Sequence, residues 1–281
     1  MRNLNNTWIR GNSMNYVIDY YENYREENRL TTNNTRKIEY ITTIKTFEAC
    51  LPKTGKILDC ASGPGIYSFY FAERGYEVTA LDITPRHIEF INNELKNKPY
   101  SIHTGVNDAT DLSRFDNNTF DVVLCMGPIY HITDEKQRQK CLDECNRILK
   151  PGGLLAVTYI NRLCIFPHVA TRNKKFLSID LAQRLLSTGT IYHDDPDCFW
   201  TDTYYAMPEE LENLFSNMNL DIVDHLASDG ISLFLGEQVD SMDEEEFKVW
   251  CDYHYMVCRE KNILGMSNHG LIIGKKSFGA V

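Results

Sequence analysis

No apolar run in the 281 residues approaches the length needed to cross a bilayer. The opening stretch, Met1 to Asn6, is polar and unlike a secretory signal, so the expected compartment is cytoplasmic. Basic residues are in deficit: 29 Lys and Arg stand against 39 Asp and Glu, for a net charge of −10. That balance disfavours broad binding to nucleic-acid phosphates, which requires excess Lys and Arg. Nine cysteines occur, an odd number, and none forms a CxxC pair. Cys60, Cys125 and Cys145 fall inside apolar patterns, where a free thiol behaves as a small hydrophobe; a reducing compartment is expected, and no metal site. Internal repeats, low-complexity tracts and interdomain linkers are also missing, and residues 12–50 contain no glycine.

What the chain does contain, at 43% hydrophobic and 24% charged residues, is the composition of a globular protein able to bury a sizeable core. Its organising stretch is Lys56 to Ser68: the apolar Ile57-Leu58, then Asp59-Cys60-Ala61-Ser62-Gly63-Pro64-Gly65, then a helical pattern from Ile66. Gly63 and Gly65 permit a tight turn with close backbone approach to a ligand, which then faces a helix N-terminus. A second apolar strand, Tyr76 to Leu81, ends in Asp82, where a carboxylate can hold a ribose diol. Strand, turn, helix, strand and acid in series indicate a nucleotide-like cofactor.

Around this stretch the pattern alternates. Residues 12–50 read as two helices, Met14 to Arg29 and a second one after the caps in Thr31 to Thr35, with Ile38, Ile41, Ile44 and Phe47 on its apolar face. Thr84-Pro85 starts a helix, Tyr100 to Thr104 is a short strand, Phe120 to Met126 another, and Asp134 to Leu149 a helix. Pro151-Gly152-Gly153 leads into a strand, Leu154 to Ile160. This alternation predicts a doubly wound parallel α/β sheet with its ligand at the strand C-termini. Residues 161–206 are too long for a plain connection and read as a lid or substrate wall. Beyond them, Pro208 opens a helix, Asp221 to Leu226 is a strand, Ser241 with Glu244 caps a helix to about Lys261, and Gly270 to Gly274 is the last strand. The expected division is a helical cap, 1–50, and a catalytic domain, 51–281, with 161–206 inserted between strands 5 and 6.

A nicotinamide dinucleotide is the first candidate for such a turn. Two details oppose it: the position wanting a third Gly or Ala is Ser68, and Asp59 would repel a diphosphate. A carboxylate there suits an ammonium or sulfonium. With Asp59 to Gly65, Asp82, Asp108, Phe120 to His131 and Leu149 to Gly153 in view, the chain resembles the class I S-adenosylmethionine-dependent methyltransferases over Lys56 to Ile160. Tyr20-Tyr21 with Arg29, Met126 to His131, Trp200 to Tyr204 and Leu264 to His269 further resemble a bacterial small-molecule-type subgroup.

The resemblance implies S-adenosylmethionine as cofactor and S-adenosylhomocysteine as product. It implies a seven-stranded sheet of order 3-2-1-4-5-7-6 with strand 7 antiparallel. Asp59, Cys60, Ala61, Gly63 and Gly65 would meet the methionine part, Asp82 the ribose, and Ile83, Asp108 and Ala109 the adenine, with Met126, Tyr21 and Arg29 also at the cofactor. Arg29 would pair with its carboxylate. His131 and Tyr130 are the catalytic candidates, since His131 follows strand four and titrates near neutrality; holding the loop is its other reading. Tyr20, Tyr24, His193, Trp200, Asp202 and Tyr204 are candidate substrate contacts, and an aromatic wall with acids suits a cationic acceptor. The expected activity is methyl transfer to an O or N atom of a small molecule by a monomer or homodimer, without a membrane or nucleic-acid partner. Alternatives are an RNA methyltransferase, an NAD(P)-dependent oxidoreductase and a non-catalytic cofactor-binding regulator.

Overall fold

A computed structural model describes residues 13–278. The chain opens with α1 (Ser13–Asn23), a 3-10 turn (Glu26–Thr31) and α2 (Asn34–Cys50), then enters the sheet. There follow β1 (Lys56–Asp59), α3 (Ile66–Glu73), β2 (Glu77–Asp82), α4 (Pro85–Leu95), β3 (Ile102–Val106), β4 (Phe120–Cys125), the single turn α5 (Pro128–His131), α6 (Glu135–Ile148) and β5 (Leu149–Ile160). The segment after β5 folds as α7 (Arg162–Arg172), α8 (Ile179–Thr188) and a two-stranded hairpin, β6 (Thr190–Ile191) with β7 (Thr203–Tyr204). Next come α9 (Pro208–Asn217), β8 (Leu220–Ala227), α10 (Gly236–Asp240), α11 (Glu244–Val257), α12 (Lys261–Leu264) and β9 (His269–Lys276).

The seven-stranded sheet has the order β3-β2-β1-β4-β5-β9-β8. β1 to β5 run parallel, and β9 is antiparallel to both β5 and β8. Setting the small hairpin aside, β8 and β9 are strands 6 and 7, and the order is the expected 3-2-1-4-5-7-6. β1, β4 and β5 read as unbroken apolar runs because both faces are covered. One face packs with Cys141, Leu142 and Cys145 of α6 and Phe215 of α9; the other packs with Phe47 of α2, Phe71 of α3 and Ile91 of α4. Ile165, Val169, Leu181, Leu185, Ile191 and Tyr205 form a separate small core within the inserted segment.

Several boundaries differ from the sequence reading. The first helix ends at Asn23, and Glu26–Thr31 closes as a 3-10 turn instead of continuing to Arg29. β3 lies two residues later than expected, paired with β2 from Val78↔Ile102 to Asp82↔Val106. β5 begins at Leu149, and the Pro-Gly-Gly stretch is an irregular part of that strand, with Gly152 at φ 78°. The capping box before α11 belongs to Asp243 and Glu246, not Ser241 and Glu244, and the helix ends at Val257. A carboxylate accepts from the N3 amide as well as a serine does, and three acids in the first turn favour that start.

Candidate active site

The C-terminal ends of β1, β2 and β4 open into a cleft of about 660 Å³. Its floor is the turn after β1. Gly65 is the N-cap of α3 at φ 87°, and a Cβ there would lie 2.9 Å from Ile91, so glycine is required for the turn to close against α4. Asp82 ties the turn to β2: its Oδ2 accepts from the Gly63 amide at 2.8 Å, and its Oδ1 accepts from the Thr84 amide at 2.8 Å. His87 Nδ1 lies 3.2 Å from the same Oδ1. Asp108, after β3, accepts from the Thr110 amide at 2.8 Å.

Of the cofactor candidates, Cys60, Ala61, Gly63 and Met126 line this cleft, as do Asp82, Ile83, Asp108 and Ala109 from the second and third loops. Tyr21 reaches it from α1. Gly65 does not line it. Neither does Asp59, which is fully buried beneath the turn. Ser68 donates to Asp59 Oδ2 at 2.7 Å, while Oδ1 has no partner. Burial pushes this carboxyl up to about 8, against the opposing effect of the Ser68 bond. Arg29 does not line this cleft but a neighbouring hollow it shares with Ala61, Gly63 and Met126, and its guanidinium is already held: Nε donates to Glu26, while Nη1 and Nη2 donate to Glu39 at 2.8 and 3.1 Å.

Sequence reasoning missed Val17, Glu26, His87 and Asn107 in the lining. His87 carried a signal, standing one helical turn after the Thr84-Pro85 start and pointing back at Asp82. Glu26 carried none, because its place depends on the 3-10 turn.

A second cavity, about 920 Å³, adjoins the first. Tyr20 and Tyr24 from the N-terminal segment, Trp200 from the inserted segment and His269 at the start of β9 contribute to its wall. Tyr21, Glu26 and Tyr130 line both cavities, so the two meet at these side chains. His131, in the first cleft, places Nε2 3.0 Å from the Tyr21 hydroxyl; its Nδ1 is buried without a partner. Burial pulls this imidazole down to about 4, against the Asp202 backbone carbonyl and Asp82, so it is neutral at physiological pH. Burial likewise raises the Tyr130 and Tyr21 hydroxyls above their ordinary range.

The remaining substrate candidates are not brought to either cavity. His193 stacks on Tyr16 with ring centroids 3.5 Å apart and pairs with the buried Asp202 at 2.8 Å. Tyr204 donates to Glu210 at 2.6 Å beneath the Arg138 guanidinium. The floor of the second cavity is a closed charge network. Burial pushes Glu39 up, but Arg29 and His269 outweigh it and hold the carboxyl below its usual value. Burial pulls His269 down, but Glu39 and Asp229, the latter 2.8 Å away, more than offset it and raise the imidazole.

Residues 57–153 match the family model described as "Methyltransferase domain". A ubiquinone biosynthesis O-methyltransferase of Xanthomonas oryzae is 27% identical over 169 residues, spanning 60% of this chain and 64% of its own, just under two thirds of its length. A glycine/sarcosine N-methyltransferase of Parasynechococcus marenigrum is 30% identical over 106 residues, 37% of this chain and 38% of its own. Among solved structures, a methyltransferase of Thermotoga maritima, described as a possible histamine N-methyltransferase, superposes with a TM-score of 0.59 at 17% identity, covering 93% of this chain and all of the other. A Methanosarcina mazei methyltransferase gives 0.57 at 19% identity, covering 83% and 97%. The sheet order and the glycine turn with its acid-tipped strands agree with that match: residues 57–153 are similar to a methyltransferase domain, and the fold is the Rossmann-like one of the solved S-adenosylmethionine-dependent methyltransferases.

Proposed function

We propose that the protein transfers a methyl group from S-adenosylmethionine to an oxygen or nitrogen atom of a small-molecule acceptor. The observation that carries this reading is the meeting of the two cavities at Tyr21, Glu26 and Tyr130. One cavity has the glycine turn and the acids of a nucleoside site. The other is walled on several sides, which suits a metabolite better than an extended polymer.

The cleft fits the cofactor. Asp82 and Asp108 each keep acceptor capacity after their backbone bonds, for the ribose hydroxyls and the adenine amino group respectively. Asp59 discriminates: a cation over the turn favours the ionised form of a carboxyl that burial has pushed up to about 8, whereas a diphosphate opposes it. Bound there, S-adenosylmethionine supplies a methyl group already activated by its sulfonium. The protein's remaining task is alignment, worth up to roughly 7–11 kcal/mol in ideal cases.

Tyr130 and Tyr21 form the throat between the cavities, and His131 fixes the Tyr21 ring through the 3.0 Å contact. Burial that pulls this imidazole down to about 4 also makes it a weak base, so the geometry favours His131 as the group that positions Tyr21 and not as a proton acceptor. Incubation with labelled S-adenosylmethionine and a metabolite extract, followed by mass spectrometry, tests the reading. Label in a small-molecule product is expected; label confined to RNA, or none transferred to any acceptor, would overturn it.

A further inference from the structure

Three basic side chains gather at the second cavity, none of them among the residues it shares with the first. His168 and Arg172 lie one turn apart on α7, and Arg36 projects from the first turn of α2. Arg36 and His168 line the cavity. His168 Nδ1 is buried without a hydrogen-bond partner. Burial pulls the His168 imidazole down, and Arg172 and Arg36 press it further the same way, so the three sit within one another's field. No carboxylate appears among the groups that move it.

Of the acids close to these bases, Asp240 accepts from the Thr35 amide and hydroxyl at 2.7 Å and from Asn33 Nδ2 at 2.9 Å, beside Arg36. Glu26 and Glu39 hold Arg29, and Asp229 holds His269. In the inserted segment, Asp195 and Asp197 pair with Arg184, and Asp202 with His193. Arg36 and Arg172 have no ion pair among the described residues. Arg36 and Arg172 are exposed and His168 is half-buried. Their mutual repulsion is relieved by an anion, and guanidinium forks match carboxylate and phosphate oxygens.

We propose that Arg36 and His168, with Arg172 behind them, form an anion subsite, so that the methyl acceptor carries a carboxylate or phosphate group at the end away from its methylated atom. The proposal rests on the reading of this cavity as the acceptor site. It reverses the sequence expectation of a cationic acceptor, because the acids that suggested one are consumed by His193 and Arg184.

The test has two arms. In the first, protein saturated with S-adenosylhomocysteine is titrated with benzoate, phenyl phosphate, benzylamine and benzyl alcohol by calorimetry. One or both anions are expected to bind, and which one distinguishes carboxylate from phosphate. Arg36→Ala and His168→Ala should weaken that binding roughly tenfold or more, and Arg36→Lys should restore part of it, with S-adenosylhomocysteine affinity unchanged in all three. Binding of the amine or alcohol in preference, anion binding indifferent to Arg36, or no binding by any probe would overturn the subsite. In the second arm, the labelled product from the extract is passed over an anion exchanger. A retained product supports the subsite, and a neutral or cationic one refutes it while leaving methyl transfer intact. Failure to label any product, with anion binding still lost in Arg36→Ala, would instead refute the acceptor reading alone.

Discussion

Asp82 is the residue on which the proposed cofactor site turns. Its two oxygens hold the Gly63 and Thr84 amides, so one side chain sets both the glycine turn and the start of α4. Asp82→Ala should therefore weaken S-adenosylmethionine binding by roughly 30-fold or more, the scale of losing a charge-assisted hydrogen bond together with its organising contacts. Calorimetry checks it; undiminished affinity would remove the ribose from this position. His131 gives a pH prediction. Its folded value, about 4, lies below the ordinary 6.5, so its contribution to stability is complete above the unfolded value and is lost as pH falls from about 6.5 toward 4. Melting curves across that window should fall less steeply for His131→Gln than for the native chain. Asp59 shows where single residues are legible in sequence and where they are not. Its acid type and its place before the glycines were readable, but its bond to Ser68, nine residues on, needs the turn already closed. The pairing of His193 with Asp202 and of Arg29 with Glu39 was equally invisible, because the first forms across the irregular connection between β6 and β7 and the second depends on the 3-10 turn before α2.

At the scale of elements, the strands and helices from β1 to β5 were readable because buried parallel strands are apolar runs punctuated by caps and glycines. The inserted segment was readable only as an insertion. A hairpin of two-residue strands has no periodicity to detect, and the break after Asn23 lies in a run with neither glycine nor proline. What joins the insertion to the sheet is Asn161, at the end of β5. Its Nδ2 donates to the Leu264 and Gly265 carbonyls at 2.9 and 3.0 Å, and its Oδ1 accepts from the Leu163 amide at the start of α7. With the side chain buried, Asn161→Ala removes the bonds to the Gly265 carbonyl and the Leu163 amide and leaves the Leu264 carbonyl only its long contact with the Ser267 amide at 3.3 Å. A loss of about 2–3 kcal/mol in urea denaturation is expected, with α7 and its cavity-facing His168 loosened first. Hydrogen exchange that quickened elsewhere but not in α7 would count against this role.

Across the whole molecule, α1 and its following turn, with Tyr130 of α5, belong to both cavities. Val17 and Tyr21 line the cofactor cleft, Tyr20 and Tyr24 line the second cavity, and Arg86 from α4 clasps the segment through the Tyr21 carbonyl at 3.3 Å and Glu27. A ligand that fills the cofactor cleft thus packs α1 against α4 and stabilises the fold as a unit. At a hundred times its Kd such a ligand adds about 2.7 kcal/mol, or roughly 5–10 °C in Tm for a chain of this size. S-adenosylhomocysteine should produce that shift and protect the connection around Tyr24-Arg25 from limited proteolysis. NAD(H) should do neither, since its diphosphate would lie over Asp59 and the turn has Ser68 in place of the third glycine. A matching shift with NAD(H) and none with S-adenosylhomocysteine would place the chain's chemistry in hydride transfer. Stabilisation without proteolytic protection would keep the cofactor but detach α1 from its site.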